Sequence, residues 1–284
     1  MEIEVKPGKY IVAVSGGVDS VVLLDLLVQC KELELVVAHF DHGIRPDSNL
    51  DQRFVKDLAK KYNLEFASEK GNLGENASEE KARNARYEFL HRAGKENHAD
   101  VVITAHHQDD MLETALINLS RGTGRKGLSS LDSGNKILRP LLGFTKNQII
   151  DYAKKKNLQW REDSTNQSDK YMRNRIRKKL AEADPQHKSD LLDLLHATKH
   201  SNREIDQILQ LMLRPELPKK YLLELDHNAS KELLAQWLRM HGIQFDKQLI
   251  EQLIVKAHTG RVGSVFVLKK DAKVQIDKQC LRVV

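Results

Sequence analysis

The chain has 284 residues and a formal net charge of +6 at neutral pH. Its length allows one large or two modest domains, and its charge permits nucleic-acid binding without establishing it. The two cysteines, Cys30 and Cys280, exclude a disulfide framework and a CxxC metal or redox site. Because the start has no apolar signal core and no run approaches a membrane span, we expect a cytoplasmic protein.

The first predicted strand and helix enclose a glycine-containing turn. Ile11 to Val14 form an apolar run typical of a strand buried on both faces, and Val21 to Leu27 predict a buried helix. The turn between them reads Ser-Gly-Gly-Val-Asp-Ser, residues 15–20. Its glycines permit close backbone approach, and the helix N-terminus attracts an anion, so the stretch predicts a phosphate site. The alternative is an ordinary capped strand-turn-helix corner.

Asp19 in this turn would repel a phosphate unless a cation lay between them, which suggests magnesium. No GxxxxGK[ST] occurs, so a P-loop kinase or GTPase is not indicated. Residues 122–127 fit GxGxxG, but they follow a helical pattern rather than a strand. They do not indicate a dinucleotide fold.

Leu33 to Phe40 predict a second buried strand, followed by a polar loop over 41–48. Ligands of open parallel sheets lie beyond the carboxyl ends of the strands, so His39, His42 and Arg45 are expected near residues 15–20. Asp47 or Ser48 is equally well explained as the cap of a helix over 49–62.

A polar connection over 68–74 is predicted to lead to a helix capped by Asn76. Arg83 and Arg86 share one face of this helix, opposite in character to its apolar face. Such a pair is usually solvated, although beside a nucleotide site it could contact phosphate or RNA.

The next predicted strand, Asp100 to Ala105, runs directly into a cluster of histidines and carboxylates: His106, His107, Asp109, Asp110 and Glu113. The helix dipole accounts for one or two of the carboxylates. Three of them with two histidines at the end of a strand favour a magnesium or cationic-substrate site. HExxH is absent, so a zinc hydrolase has no ligand set.

Two basic segments follow. Residues 121–128 form a basic, glycine-rich loop that suits either a phosphate-backbone contact or a solvated turn. A last strand is predicted over Lys136 to Leu142, and Thr145 is predicted to cap a helix running to Lys156. Arg173 to Lys179 hold five cations in seven residues, which suit a nucleic-acid surface and a solvated face about equally.

A change in composition at residues 183–185 places a domain boundary there, giving a catalytic domain over 1–185 and an accessory domain over 186–284. The second part shows amphipathic helices to residue 213, over 230–241 and over 247–257, then three strands of a small antiparallel sheet. We therefore predict an α/β fold: an open, mostly parallel twisted sheet with helices on both faces, followed by a smaller α+β domain.

Taken together, the motifs resemble the tRNA(Ile)-lysidine synthetases, a family of PP-loop ATP pyrophosphatases. The resemblance rests on SGGVDS from Ser15, AHFDHGIRPDS from Ala38, ENASEEKARNARYEFL from Glu75, TAHHQDDMLETALINLSRGTG from Thr104, LRPLL from Leu138 and EDSTNQSDKYMRNRIRKKL from Glu162. It implies a two-step ligation. ATP adenylates the C2 oxygen of the wobble cytidine in a CAU-anticodon isoleucine tRNA, and free L-lysine then displaces AMP to give lysidine. The family also suggests a homodimer.

The resemblance assigns roles to particular residues. Nucleotide contacts are expected from Ser15, Gly16, Gly17, Val18, Asp19, Ser20, Ala38, His39, Phe40 and Arg45. Catalytic roles fall on Asp19, Asp110, His106 and Glu113, with Asp19 and Asp109 as magnesium ligands and Asp110 as the carboxylate for the lysine amine. Contacts with tRNA are expected from Arg83, Arg86, Arg121, Arg125, Arg173, Arg175 and Arg177.

Two alternatives remain. A tRNA thiolase of the same superfamily would need thiols that this chain lacks when its sulfur travels on cysteines or an iron-sulfur cluster. A non-catalytic nucleotide-binding or RNA-binding module would explain the basic charge, but the acidic cluster at residues 109–113 would weaken a pure RNA-binding face.

Overall fold

A computed structural model describes residues 1–43, 48–71, 74, 78–128, 131, 136–161, 172–268 and 272–284. The predictions made for Arg45, Asp47, Asn76 and the segment 162–171 fall outside these residues. The chain divides into two compact units, Met1–Lys199 and His200–Val284. The boundary proposed from composition, after residue 185, remains a prediction.

The first unit alternates strands and helices. In chain order it contains β1 (Gly8–Ala13), α1 (Val18–Val28), β2 (Leu33–Asp41), α2 (Ser48–Lys61), β3 (Glu65–Lys70), α3 (Glu79–Glu96), β4 (Val101–Ile103), α4 (Gln108–Ser120), α5 (Arg125–Leu128), β5 (Ile137–Leu138), a 3₁₀ helix (Pro140–Gly143), α6 (Lys146–Lys155) and α7 (Met172–Glu182). Helix α8 (Pro185–Met212) then extends into the second unit.

The strands of this unit form a parallel sheet in the order β3-β2-β1-β4-β5, as far as the chain is described. Helices α1, α2 and α6 pack on one face, where Leu23, Val55 and Ile149 share a core. Helix α3 covers the other face through Phe89 and Leu90. The predicted α/β class, with a parallel sheet and helices on both faces, is confirmed.

The strand order identifies where a ligand would bind. After β1 the chain adds β2 and β3 on one side, and it then adds β4 and β5 on the other side. In an open parallel sheet, the carboxyl ends of the two strands at such a switch point, here β1 and β4, border a ligand crevice. The turn 15–20 follows β1, and the histidine-carboxylate cluster follows β4. Both predicted sites therefore meet at one crevice.

Three local predictions were wrong. Residues 65–70 form edge strand β3, which was missed because its sequence, EFASEK, is mostly polar and half-exposed. The strand predicted over 136–142 stops at Leu138, because Pro140 lacks an N–H and begins a 3₁₀ helix instead. The cap of helix α3 was predicted at Asn76 but is Ser78, whose side chain accepts a hydrogen bond from the Lys81 N–H at 3.2 Å.

The second unit combines helices with a small antiparallel sheet, as predicted. After α8 it contains β6 (Leu217–Pro218), α9 (Lys219–Glu224), α10 (His227–Met240), α11 (Lys247–Thr259), β7 (Ser264–Val267), β8 (Lys273–Ile276) and β9 (Cys280–Val283), with sheet order β6-β9-β8-β7. Trp237 is fully buried in its core and donates hydrogen bonds to the carbonyls of Arg214 and Pro215. Among the described helices of the chain, none has the length and apolarity that a membrane crossing requires.

Candidate active site

The turn after β1 is organised by the hydroxyl of Ser20. Its Oγ accepts hydrogen bonds from the N–H groups of Ser15 and Gly16, both at 3.2 Å, and donates to the Gly17 carbonyl at 2.9 Å. Gly16 has φ of 96°, a conformation that side chains rarely adopt. No side chain caps the first turn of α1, so its N-terminal N–H groups face the crevice as a ready anion site.

Asp19, in the first turn of α1, forms an ion pair with a lysine side chain. The ammonium of Lys146, at the start of α6, lies 2.6 and 2.7 Å from its two carboxylate oxygens. The Nε2 of His107 lies 3.8 Å from the same carboxylate. Asp19 and Lys146 are both about one-third exposed, so this ion pair is open to the crevice.

His107 caps α4 and connects the two halves of the site. Its backbone N–H donates to a carboxylate oxygen of Asp110 at 3.0 Å. Its ring Nδ1 accepts from the backbone N–H of Asp109 at 3.3 Å. An accepting Nδ1 leaves the proton of the neutral ring on Nε2. That nitrogen lies 3.5 Å from Asp110 and 3.8 Å from Asp19, so it faces both carboxylates.

Burial penalises the charge of Asp110, but His107, His106, the His107 N–H and Arg177 together outweigh it and hold the pKa of Asp110 below its ordinary value. Burial instead raises the pKa of Glu113, although two hydrogen bonds from Arg177 oppose the rise. Those bonds measure 2.6 and 3.0 Å, and Arg173 lies 3.6 Å from a Glu113 oxygen. Helix α7 therefore packs against α4 through arginines that bind its carboxylates.

Cations surround the other histidine. His106 is held by a 2.8 Å hydrogen bond between its Nδ1 and the Thr104 hydroxyl. Burial lowers the pKa of His106 to about 3, a shift that Asp110 opposes and Arg139, Arg86 and Arg83 reinforce. His106 is therefore neutral at physiological pH and has carboxylate and guanidinium neighbours.

Arg86, on α3, is one of these cations. Its Nε is buried and has no hydrogen-bond partner among the described residues. Burial lowers its pKa, and its guanidinium lies 5.4 Å from the centre of the Tyr87 ring, which Arg83 also approaches at 5.0 Å. An unpaired buried donor of this kind suits an anionic ligand.

The end of β2 borders the crevice largely through its backbone. The Nδ1 of His39 lies 2.9 Å from the Val14 carbonyl, and burial lowers the pKa of this buried histidine. Ala38 and Phe40 are buried too, so the nucleotide contacts predicted for the three residues would have to be made mainly through main-chain atoms. Asp41 shapes the following turn by accepting from the Gly43 N–H and the Ser48 hydroxyl.

The arginines predicted to contact tRNA occupy different environments. Arg121 and Arg175 are exposed, and Arg125 is half-buried. Arg173 and Arg177 contact Glu113, and Arg83 and Arg86 lie beside His106. The tRNA role of these seven side chains stays a prediction. Four of them lie beside Glu113 or His106 of the candidate site.

The described residues contain no group of three or more acidic, histidine or cysteine side chains that could hold a metal. Magnesium usually takes one or two carboxylates together with substrate phosphates and water. Asp19 fits that pattern, since its carboxylate is about one-third exposed and already pairs with the ammonium of Lys146. Asp109 as a second ligand stays a prediction.

Sequence reasoning gave no role to Lys146 or Arg139, and it included His107 only as a member of the histidine-carboxylate cluster after β4. Lys146 contacts Asp19 from 127 residues away, and Arg139 is buried beside His106. The sequence signals for these two residues were weak: Lys146 starts a predicted helix, and Arg139 lies inside the strand predicted over 136–142. Arg161 was missed too: its N–H donates to the Gly16 carbonyl at 3.0 Å, and its side chain pairs with buried Asp51.

The sequence profile of the PP-loop domain family matches residues 2–184. The chain therefore belongs to the PP-loop domain family, which agrees with the turn after β1 and with the sheet.

Among individual proteins, it is similar to several named tRNA(Ile)-lysidine synthase. The one from Bacteroides thetaiotaomicron is 35% identical over 282 residues, covering 92% of this chain and 64% of the relative. The one from Anaplasma marginale is 37% identical, covering 71% of this chain and 46% of the relative. The chain thus spans about half to two thirds of the length of these relatives.

A solved structure shares the fold. The U34-tRNA thiolase NcsA from Methanococcus maripaludis, determined with its [4Fe-4S] cluster, superposes with a TM-score of 0.56 at 18% identity and covers 69% of this chain and 74% of its own. At this identity the likeness concerns the fold alone.

Proposed function

We propose that this protein is an ATP-dependent tRNA(Ile)-lysidine synthetase. The observation that carries the proposal is that an anion-binding turn lies beside a cluster of side chains containing both the Asp110 carboxylate and guanidinium groups. The turn suits the phosphates of ATP. The cluster suits an amino acid, whose ammonium and carboxylate need opposite charges.

In the first step the C2 oxygen of the wobble cytidine attacks the α-phosphorus of ATP, and pyrophosphate leaves. The N–H groups at the start of α1 and the Ser15 hydroxyl would bind the phosphates, while Ser20, whose hydroxyl donates to the Gly17 carbonyl, would hold the turn in shape. Asp19 would hold magnesium with the phosphates, and the metal would neutralise charge on the departing pyrophosphate.

In the second step an amine of free lysine attacks C2, the bond from C2 to the bridging oxygen breaks, and AMP leaves with that oxygen while the amine loses a proton. The lowered pKa of Asp110 makes it a weak base at neutral pH but a persistent anion. Asp110 therefore suits holding the lysine ammonium better than deprotonating it. Arg86, with its buried unpaired Nε, suits the lysine carboxylate.

Exposed arginines on one unit support tRNA as the partner. Arg121 follows α4 directly, and Arg175 projects from the helix whose other arginines contact Glu113. Phosphate contacts at these positions would flank the crevice and would make tRNA binding depend on salt. The cytoplasm, which contains ATP, lysine and tRNA, is the expected location.

The test is incorporation of radiolabelled lysine into an unmodified CAU-anticodon isoleucine tRNA, with ATP and magnesium. We expect label that survives mild alkali, which strips aminoacyl esters, and that disappears in Asp19→Ala. Asp151→Ala removes an exposed carboxylate elsewhere and is the matched control. No label, with pyrophosphate still released on adding tRNA, would leave an ATP-dependent tRNA enzyme with another nucleophile; a parallel sulfur-donor reaction would then test the thiolase alternative.

A further inference from the structure

The pairing of Lys146 with Asp19 points to a role for this lysine that depends on the proposed function. Its ammonium lies almost equally close to both carboxylate oxygens, at 2.6 and 2.7 Å. A magnesium ion bound to Asp19 would compete for the same oxygens, because two cations on one carboxylate repel each other. Binding of the metal would therefore displace the ammonium.

The backbone of Lys146 cannot move far when its side chain is displaced. The preceding residue, Thr145, caps α6 in a reciprocal pair with Gln148. Before that, the Phe144 carbonyl accepts the Gln108 N–H at 3.0 Å, which ties this segment to the start of α4. Because Ile149 is fully buried in the core, only the flexible side chain of Lys146 can respond.

A triphosphate in this crevice needs a cation that the turn does not provide. Residues 15–20 contain no lysine or arginine, and their one charged residue is Asp19. Arg177 on α7 donates two hydrogen bonds to Glu113. Lys146 is about one-third exposed and stands beside the turn, so it can reach a phosphate without crossing packed side chains.

We propose that Lys146 is a phosphate-binding residue that exchanges Asp19 for the β- and γ-phosphates of ATP when the metal-nucleotide complex binds. The side chain of Lys146 has a partner in both states. In the free enzyme it neutralises Asp19, and in the complex it stabilises the pyrophosphate leaving group.

Isothermal titration with magnesium and each of ATP, pyrophosphate and AMP tests this exchange without using turnover. Lys146→Met should weaken ATP and pyrophosphate binding by about tenfold or more, the usual consequence of losing a charge-assisted contact, and AMP binding by less than about twofold. Lys146→Arg should retain most of the affinity for ATP. Lys155→Met, which removes an exposed charge from the same helix, should match the wild type.

Three results would overturn the inference. Equal losses for AMP and ATP would mean that Lys146 only supports the structure of the site. Unchanged ATP affinity in Lys146→Met would mean that the lysine does not contact phosphate, while leaving the proposed function intact. Failure of the wild type to bind ATP would overturn the proposed function and this inference with it.

Discussion

Asp110 and Glu113 lie one turn apart on α4, yet their pKa values shift in opposite directions. Burial disfavours both charges, but Asp110 faces two histidines and a backbone N–H, which reverse the effect. Glu113 is almost fully buried and its pKa is raised in spite of Arg177. The difference favours Asp110 as the anion that meets a substrate and Glu113 as an anchor for α7.

Asp110→Asn tests this assignment. Asparagine can still accept the His107 N–H, so the helix cap should survive, while the negative charge is lost. We expect kcat/KM for lysine to fall by about a hundredfold, the loss that removing a charged contact typically causes. Affinity for tRNA should be unchanged or improved, and pyrophosphate release on adding tRNA should persist.

Asp151→Asn, an exposed substitution on α6, is the control for charge alone. If Asp110→Asn abolished pyrophosphate release and lysine transfer to the same extent, the carboxylate would act in the first step and its assignment to lysine would be wrong.

His106 provides a prediction about pH. Its pKa is about 3 in the folded protein but about 6.5 in an unfolded chain. Below pH 6.5 the unfolded state takes up a proton that the folded state does not, so stability is complete above that pH and falls as the pH is lowered. The slope from this group approaches about 1.4 kcal/mol per pH unit.

Urea unfolding at pH 7.5 and pH 5.0 would measure the effect. His106→Gln, which can keep a hydrogen bond to Thr104, should lose less stability between the two values than the wild type, by about 1 to 2 kcal/mol. His39, whose pKa is also lowered by burial, should account for part of the slope that remains. Identical slopes in the two proteins would contradict the buried, neutral state of His106.

Among the elements, the basic helix α7 contributes arginines to the candidate active site. Its run of cations is compatible with a solvated face, but Arg173 and Arg177, one turn apart, turn toward Glu113. Arg175 lies between them and is exposed. The same helix thus binds Glu113 through two arginines and exposes a third, Arg175.

Arg177→Met should lower the free energy of unfolding by about 2 to 3 kcal/mol, because it leaves the buried Glu113 without its bidentate partner. Adding Glu113→Gln should recover part of this loss, and Arg175→Met should change stability by less than about 0.5 kcal/mol. Chemical denaturation of the wild type, Arg177→Met, Glu113→Gln and the double variant completes a double-mutant cycle. Additive effects would show that the pair does not hold α7 in place.

At the scale of the whole molecule, the first part of α8 belongs to the first unit. Leu192 and Leu195 are buried with Met111, Leu112 and Ala115 of α4. A domain that ended after residue 185 would lack these leucines and expose the apolar face of the helix that bears Asp110. The first compact unit, Met1–Lys199, includes both leucines and so keeps this face of α4 covered.

Comparison of fragments 1–185 and 1–199 tests this difference. The longer fragment should be more stable by about 3 to 5 kcal/mol, the expected gain from burying two leucines. Urea denaturation of both fragments, with Leu192→Ala in the longer one as a partial version of the truncation, would measure it. Equal stabilities would support the boundary after residue 185 that composition suggested.

The sequence by itself determined the α/β class, the turn over residues 15–20 and the carboxylate cluster after β4. These features are local, because apolar runs, glycines and charges at strand ends can be recognised within about a dozen residues of sequence. The same reasoning missed β3, because this edge strand is mostly polar, and extended β5 across Pro140, because apolar residues lie on both sides of that proline.

Only the tertiary structure decided which side chains meet. Lys146 pairs with Asp19 across 127 residues, and Arg177 pairs with Glu113 across 64. No periodicity encodes such partners, since they depend on strand order and on how α6 and α7 pack beside α1 and α4. The opposite pKa shifts of Asp110 and Glu113 arise from the same packing, because burial and neighbouring charges, rather than residue type, set the free energy of ionisation.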